Sequence, residues 1–349
     1  MTAGWSVAST MVRTTSSRQE ALLEVQEVTK RFAIGRRSLW DRVTRKRQKQ
    51  VRAVGGATFI VEAGETLVVL GESGSGKTTL GRLIVGLEKA DSGKIALSGD
   101  PVLPVREHRT QRGRLQMVFQ DPGSSLDPFM KVRDVVAEPL TRSGVSGVDR
   151  TEKVVRAIDS VGLDRSALDR RASELSGGQK QRVSVARAIV SSPEVIVLDE
   201  PTSSIDVSIQ AQVLNMLVGL QQQNHYAYVL ITHDPNVASF MADNVAVMYL
   251  GKIVEQGPAA KVLLQPKHPY TQALLSSTPR LHERSIPEAI KGEPPSLINL
   301  PQGCPYAPRC PYAIKSCGER EPEAYDVEGI AVSCYMYDED TKSKFGAAP

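Results

Sequence analysis

Apolar residues in this chain form short continuous runs, separated by stretches in which they recur every three or four positions. The runs Thr66–Leu70, Val195–Leu198 and Tyr228–Thr232 are built mostly from aliphatic side chains. Such runs predict strands that are buried on both faces of a sheet. The first run is followed by helical apolar spacing at Thr79–Leu87, so this strand is predicted to lead directly into a helix. The pattern therefore predicts an α/β core.

Other segments add strands around this core and helices within it. Leu22–Val28 alternates as a strand should, and Ala57–Val61 is a second strand ahead of the first buried run. From Lys131 to Val190 the spacing becomes helical, which predicts a helical insertion at about residues 122–190. Two further short strands are predicted at Lys94–Ser98 and Leu115–Phe119.

A glycine-rich segment lies where the first buried run meets its helix. Gly71-Glu-Ser-Gly-Ser-Gly-Lys-Thr-Thr79 fits the pattern Gly-x-x-x-x-Gly-Lys-[Ser/Thr]. Glycines let backbone N–H groups surround phosphates, Lys77 can reach the β- and γ-phosphates, and the Thr78 hydroxyl can ligate Mg²⁺. The alternative is a glycine-rich turn that binds nothing. The residues predicted to bind the nucleotide here are Gly71, Ser73, Gly74, Gly76, Lys77, Thr78 and Thr79.

Polar residues follow three of the other predicted strands. Asp199 and Glu200 end the Val195 run; Asp199 is predicted to hold Mg²⁺, and Glu200 to polarise an attacking water as general base. His233 follows the Tyr228 run, and Gln120 follows the strand at Leu115. The alternatives are a strand that simply ends at polar residues, a structural histidine and a surface glutamine.

A second anion-binding element is predicted at Leu175-Ser-Gly-Gly-Gln179. It stands directly before the predicted helix Lys180–Val190, so its free N–H groups lie at a helix N-terminus. The candidate residues are Ser176, Gly177, Gly178 and Gln179.

Composition limits the class of protein. A chain of 349 residues with 41% hydrophobic and 23% charged residues is globular and long enough for two or three domains. Its formal net charge of +4 does not demand a nucleic-acid partner. No window approaches the roughly 18 consecutive apolar residues of a membrane helix, and residues 1–20 lack a signal-peptide core, so a cytosolic protein is expected. A basic segment at 36–52 predicts either a contact with anionic lipid or a solvated loop.

Taken in order, the motifs resemble the nucleotide-binding subunit of an ATP-binding cassette transporter over roughly residues 22–257. The resemblance implies a P-loop NTPase cassette core with an antiparallel β subdomain and an inserted helical subdomain. It also implies that Gln120 senses Mg²⁺ and water, that His233 contacts the γ-phosphate, and that Phe32 stacks on adenine, although composition alone favours a core position for this ring. The signature at 175–179 would close on ATP held by a second subunit. Asp206 joins it in Ser203-Ser-Ile-Asp206, where the family usually has Ser-Ala-Leu-Asp.

The chain after residue 257 is similar to the C-terminal extension of oligopeptide and dipeptide importer ATPases. The similar segments are Lys267–Leu275, Gly292–Ser296 and Gly303–Tyr312. The implied organisation is a tail at 1–20, a cassette at 21–257, an extension at 258–340 and a tail at 341–349.

The function implied by this resemblance is ATP hydrolysis that drives peptide import from the cytoplasmic face of the membrane. The expected partners are a second, paralogous ATPase subunit, two transmembrane permease subunits and, indirectly, an extracytoplasmic solute-binding protein. The alternatives are import of nickel, glutathione or sugars, a soluble cassette ATPase acting on DNA or ribosomes, and an iron–sulfur scaffold with a nonfunctional nucleotide site.

All four cysteines lie near the C-terminus, in a proline-rich segment expected to bury little apolar surface. In a reducing compartment they favour metal ligation over disulfides. The resemblance implies that together they hold a 4Fe-4S cluster with a structural role. Structural zinc and four unligated thiols are the alternatives, and the cysteine spacing is wider than the usual Cys-x₂₋₄-Cys pairs of zinc sites. The residues are Cys304, Cys310, Cys317 and Cys334.

Overall fold

The fold is described from a computed structural model of the chain. The described residues are 21–34, 49–104, 113–142, 145–203, 205–277, 292–293, 295–298 and 300–345. The predicted N-terminal tail, most of the basic segment, Ser204 and the last four residues lie outside these ranges.

Two sheets organise the described structure. The larger has eight strands in the order β11-β12-β10-β9-β3-β8-β7-β6, and the smaller has four in the order β2-β1-β4-β5. The strands are β1 (Leu23–Ala33), β2 (Gln50–Val61), β3 (Thr66–Leu70), β4 (Ser92–Leu97), β5 (Asp100–Pro101), β6 (Leu115–Val118), β7 (Val195–Asp199), β8 (Ala227–Thr232), β9 (Asn244–Tyr249), β10 (Lys252–Pro258), β11 (Tyr325–Val327) and β12 (Ile330–Val332).

The centre of the larger sheet consists of five parallel strands, β9, β3, β8, β7 and β6. Every residue of β3, β7 and β8 is buried, as their continuous apolar runs predict. Because these strands run in one direction, the residues that follow them meet at one edge of the sheet. The predicted α/β core is thus confirmed.

The smaller sheet is antiparallel and packs over the first helix. β1 continues to Ala33, so Phe32 lies within the strand rather than beyond it. The ring is 36% exposed and lies under the Lys30 ammonium, 5.2 Å from its centroid, so the core position that composition favoured is wrong.

Ten α-helices are present in the described ranges, together with short 3₁₀ turns. They are α1 (Lys77–Ile84), α2 (Pro122–Ser125), α3 (Val132–Arg142), α4 (Gly147–Ser160), α5 (Gly177–Ile189), α6 (Val207–Asn224), α7 (Pro235–Met241), α8 (Ala259–Leu264), α9 (Pro269–Ser276) and α10 (Lys315–Glu319). Helices α2 to α5 stand between β6 and β7, where helical spacing predicts an insertion. Helix α5 begins at Gly177, three residues before the predicted start, because Ser176 caps it.

The cysteine-containing extension is built into the main sheet. β12 pairs antiparallel with β10, and β11 pairs with β12, so the extension adds two strands to the sheet edge. Tyr306, Val332 and Tyr335 are at most 2% exposed and belong to the principal hydrophobic core. The expectation that this segment buries little apolar surface is therefore wrong, because its aromatic residues pack against the cassette.

Candidate active site

The carboxyl edge of the parallel strands gathers most of the predicted site residues. The glycine-rich loop follows β3, Gln120 follows β6, Asp199 and Glu200 end β7, and His233 follows β8. Hydrogen bonds join these residues in two groups, one around Lys77 and Thr78 and the other around Glu200.

The loop after β3 is held in a tight turn around the Lys77 side chain. The Lys77 ammonium donates to the carbonyls of Gly71 at 2.7 Å and Glu72 at 2.8 Å. Gly76 has φ of 105°, and a Cβ there would lie 2.0 Å from the Ala53 carbonyl oxygen. Only glycine fits this position, because another side chain meets both an unfavourable φ and a backbone atom.

Burial and nearby carboxylates act in opposite directions on Lys77. Burial lowers the pKa of the ammonium, while Glu200, Asp199 and Glu72 favour its charged form. Next to it, the Thr78 hydroxyl donates to Asp199 Oδ1 at 3.1 Å. Burial raises the pKa of Asp199, and the hydrogen bond from Thr78 opposes this rise. A cation bound next to this carboxylate would further stabilise its charged form.

Glu200 stands between the other two predicted catalytic side chains. Gln120 Nε2 donates to one of its carboxylate oxygens at 2.8 Å, and His233 Nδ1 lies 3.1 Å from the other. Glu200 has φ of 45°, an uncommon conformation for a residue with a side chain, and its N–H donates to the Ile231 carbonyl at 2.9 Å. The backbone therefore fixes the direction of a carboxylate that both neighbours orient.

The predicted signature residues form the start of helix α5. The Ser176 hydroxyl accepts the Gln179 N–H at 3.3 Å, and Gln179 Oε1 accepts the Ser176 N–H at 3.1 Å, a reciprocal capping box. Asp206 is exposed at the N-terminus of helix α6. In the described part of the chain, no hydrogen bond or ion pair joins Ser176 through Gln179 to the glycine-rich loop.

Known families match two parts of the chain. The ABC transporter family matches residues 54–203, and the family described as "Oligopeptide/dipeptide transporter, C-terminal region" matches residues 254–317. The Di/tripeptide transport ATP-binding protein DppF of Pseudomonas aeruginosa is 43% identical over 321 residues, which cover 90% of this chain and 98% of that protein. The chain belongs to the ABC transporter family.

Other relatives extend over most of this ABC chain. Dipeptide transport ATP-binding protein DppF of Escherichia coli is 42% identical over 84% of this chain and 89% of its own length. Oligopeptide transport ATP-binding protein AppF of Bacillus subtilis is 41% identical over 93% of this chain and 99% of its own length.

Solved ABC structures share the fold. CbiO1 of Clostridium perfringens, described as part of the ABC transporter complex cbiONQ, has a TM-score of 0.60 and 27% identity over 71% of this chain and 92% of its own. A dimeric cassette, MJ0796, bound to ADP and Pi, has a TM-score of 0.58 and 26% identity over 68% of this chain and 98% of its own.

The four cysteines of this ABC chain lie around one small cavity of about 20 Å³, which His268 also lines. All four are free thiols, and burial raises the pKa of Cys304 to about 11 and of Cys334 to about 12. Among the described residues, however, no group of three or more His, Cys, Asp or Glu is placed to hold a metal ion. The geometry therefore gives no support to the expected 4Fe-4S cluster beyond the convergence of four thiols.

Two contacts to the glycine-rich loop were not predicted from the sequence. The Tyr270 hydroxyl accepts the Glu72 N–H at 3.0 Å, and the Arg309 guanidinium lies 3.1 Å from the Glu72 carboxylate. Both partners belong to the extension. In the sequence, Arg309 is notable only for standing beside Cys310, and that position does not indicate a contact with Glu72.

Proposed function

We propose that this chain is the ATP-hydrolysing subunit of an ABC importer that takes up di- and oligopeptides. The observation that carries the hydrolytic part is the Glu200 carboxylate, held by Gln120 and His233 at the same sheet edge as the glycine-rich loop. The peptide part is supported by the printed names of relatives that are 41–43% identical over most of the chain.

The loop residues fit ATP and Mg²⁺. Three glycines and Ser73 bring backbone N–H groups to one turn, Lys77 supplies a buried cation, and Thr79 follows in helix α1. The Thr78 hydroxyl and the Asp199 carboxylate would supply oxygen ligands of the kind Mg²⁺ prefers. The side-chain oxygen of Gln120, whose nitrogen bonds to the neighbouring Glu200, would supply a third. Mg²⁺ would neutralise charge that develops on the phosphates. Phe32 offers an exposed ring on which adenine can stack.

Glu200 then acts as the general base. Its carboxylate accepts a proton from the attacking water, while Gln120 and His233 fix the direction of its two oxygens. In this proposal the other ring nitrogen of His233 donates to the γ-phosphate, which would favour the negative charge there.

A second ATPase subunit completes the site in this proposal. Ser176, the two glycines after it, Gln179 and Asp206 make no described contact with this chain's own loop. The capping box uses the N–H groups of Ser176 and Gln179, so the Ser176 hydroxyl and the N–H groups of the two glycines are the donors offered to ATP held by a partner. The dimeric solved relative supports such an arrangement. We further propose that the partner is a paralogue, that the pair docks on two permease subunits at the cytoplasmic face, and that a solute-binding protein delivers the peptide. Along the described ranges, no helix is long and apolar enough to cross a membrane.

The test uses the assembled complex and two variants. Glu200→Gln should keep ATP binding and lose about 10²- to 10⁴-fold in hydrolysis, the usual worth of general-base assistance. Lys77→Ala should instead weaken ATP binding, because a charge-assisted phosphate contact is lost. Hydrolysis by Glu200→Gln near the parent rate would contradict the assignment. Uptake of a labelled dipeptide, compared with nickel, glutathione and a sugar, decides the solute.

The proposal also includes a 4Fe-4S cluster held by the four cysteines around the cavity. Four thiolates are the ligands that a 4Fe-4S cluster requires, and the cysteines can stand further apart around a cluster than around one zinc ion with its Zn–S bonds of about 2.3 Å. A bound cluster would be structural, tying together the segments that carry Cys304, Cys310, Cys317 and Cys334. Anaerobic purification should give brown protein with about four irons per chain, and Cys310→Ser should remove the colour. Colourless protein with stoichiometric zinc, or without metal, would overturn this assignment.

A further inference from the structure

Among the described residues, the hydrogen bonds and ion pairs between the extension and the phosphate-binding loop all involve Glu72. Tyr270, 198 positions later, accepts the Glu72 backbone N–H at 3.0 Å, and Arg309, 237 positions later, donates from Nη1 to the Glu72 carboxylate at 3.1 Å. The backbone and the side chain of a single loop residue are thus held by two separate parts of the extension.

This contact is partly buried, and aromatic side chains support Arg309. The Arg309 side chain is 5% exposed and that of Glu72 is 25% exposed. Arg309 also donates to the Tyr249 hydroxyl at 3.3 Å, and the Tyr249 ring packs against Tyr270 and Tyr306 with centroids 4.4 and 5.4 Å apart. Removing one member of such an ion pair leaves the other charge poorly solvated and without its partner, which destabilises the folded chain.

Glu72 acts on the same lysine that the phosphates need. Its carbonyl accepts from the Lys77 ammonium at 2.8 Å, and its carboxylate interacts electrostatically with that ammonium. A carboxylate at this position repels a bound polyphosphate unless a cation neutralises it. Arg309 provides that cation and fixes the loop before the nucleotide arrives, which lowers the ordering cost of binding.

Both partners of Glu72 lie next to residues that line the cysteine cavity. Arg309 ends the 3₁₀ turn Ala307–Arg309, and the next residue, Cys310, lines the cavity. His268 lines the same cavity, and its Nδ1 accepts the Tyr270 N–H at 3.0 Å at the start of helix α9. A rearrangement of the cavity wall therefore moves both partners of Glu72.

We propose that Arg309 and Tyr270 are positioning residues for nucleotide binding, and that they couple the cysteine cavity to the phosphate-binding loop through Glu72. The proposal rests on the proposed function only in taking an adenine nucleotide as the ligand of this loop. Coupling of this kind is reciprocal, so ADP must also stabilise the cavity segment.

The first experiment measures the Kd for Mg²⁺-ADP by calorimetry with the full-length chain. Arg309→Gln should weaken binding about tenfold, and adding Glu72→Gln should recover most of this loss, because the uncompensated carboxylate is then gone. The matched control is Lys261→Gln, since Lys261 is a cation of the same extension but bonds to the Glu328 carbonyl. It should leave the Kd within about twofold. Tyr270→Phe removes only a hydroxyl and should weaken binding with little change in the melting temperature.

Two results would overturn the coupling through Glu72. One is an Arg309→Gln variant that is folded and binds ADP as the parent does. The other is a double variant that binds as weakly as Arg309→Gln alone.

The second experiment measures hydrogen exchange in the segment that lines the cavity. Hydrogen exchange of the peptide covering residues 304–310 should slow at least about twofold with saturating ADP in the parent chain, and should not respond to saturating ADP in Arg309→Gln. No slowing in the parent, or equal slowing in both, contradicts the proposal. Neither measurement involves ATP hydrolysis or a transported peptide. A failure of the proposed function would therefore appear only in the Glu200→Gln and uptake tests.

Discussion

Two adjacent glycines at the start of helix α5 should respond differently to the same substitution. A Cβ at Gly178 would lie 2.6 Å from Ile209 Cγ2, whereas a Cβ at Gly177 would lie 3.8 Å from the nearest atom, Ile205 Cγ2. The first distance forces helices α5 and α6 apart, because Cγ2 is attached directly to the branched Cβ of Ile209 and cannot turn away freely. The second is ordinary van der Waals contact.

The expected free energies follow from these distances. Alanine in place of a helical glycine stabilises by up to about 1 kcal/mol, and forcing an extra methyl group into a packed site costs about 1–3 kcal/mol. Gly177→Ala should therefore leave the free energy of unfolding unchanged or raise it. The free energy of unfolding of Gly178→Ala should be lower than that of Gly177→Ala by about 1–3 kcal/mol. Urea unfolding of the isolated chain without nucleotide, followed by circular dichroism, gives both midpoints.

Nucleotide is left out of this comparison because both glycines belong to the predicted signature. Equal unfolding midpoints for the two variants, or a more stable Gly178→Ala, would refute the reasoning. Such a result would mean that α5 and α6 can separate at no cost.

The remaining expectations concern the loop, an ion pair and the cavity. Gly76→Ala should lose more than about tenfold in ADP affinity, because it combines φ of 105° with a Cβ 2.0 Å from the Ala53 carbonyl; Gly74→Ala shares the strain of a positive φ, 78°, but meets no atom within 4 Å, so it should lose less by calorimetry. Glu194 has a lowered pKa because of its hydrogen bond from Arg114, so its contribution to stability is present above pH 4.5 and is lost as the pH falls through the folded pKa. Since both side chains are partly exposed, Glu194→Gln should cost about 0.5 kcal/mol at pH 7, and this difference should vanish at acid pH in urea titrations. Iron analysis of anaerobically purified protein should find about four irons per chain in the parent and should show their loss in Cys310→Ser.

Local patterns in the sequence were sufficient for the cassette core. Continuous apolar runs predict β3, β7 and β8 because a strand buried on both faces has no polar side to display, and the structure confirms all three. The glycine-rich motif needs no tertiary information either, since a strand, a loop and a helix that follow one another along the chain create it. The start of helix α5 was misplaced by three residues because Ser176 caps a helix that glycines alone do not suggest.

Tertiary structure alone decided how distant segments meet. Parallel pairing of β6, β7 and β8 brings Gln120 and His233 to the two oxygens of Glu200, and no spacing along the chain encodes those distances. The same holds for the extension, which looked like a separate proline-rich tail but pairs with β10 and reaches Glu72 with Arg309. The physical reason is that a sequence pattern reports which surface a residue must bury, while the partner on that surface depends on strand order and register.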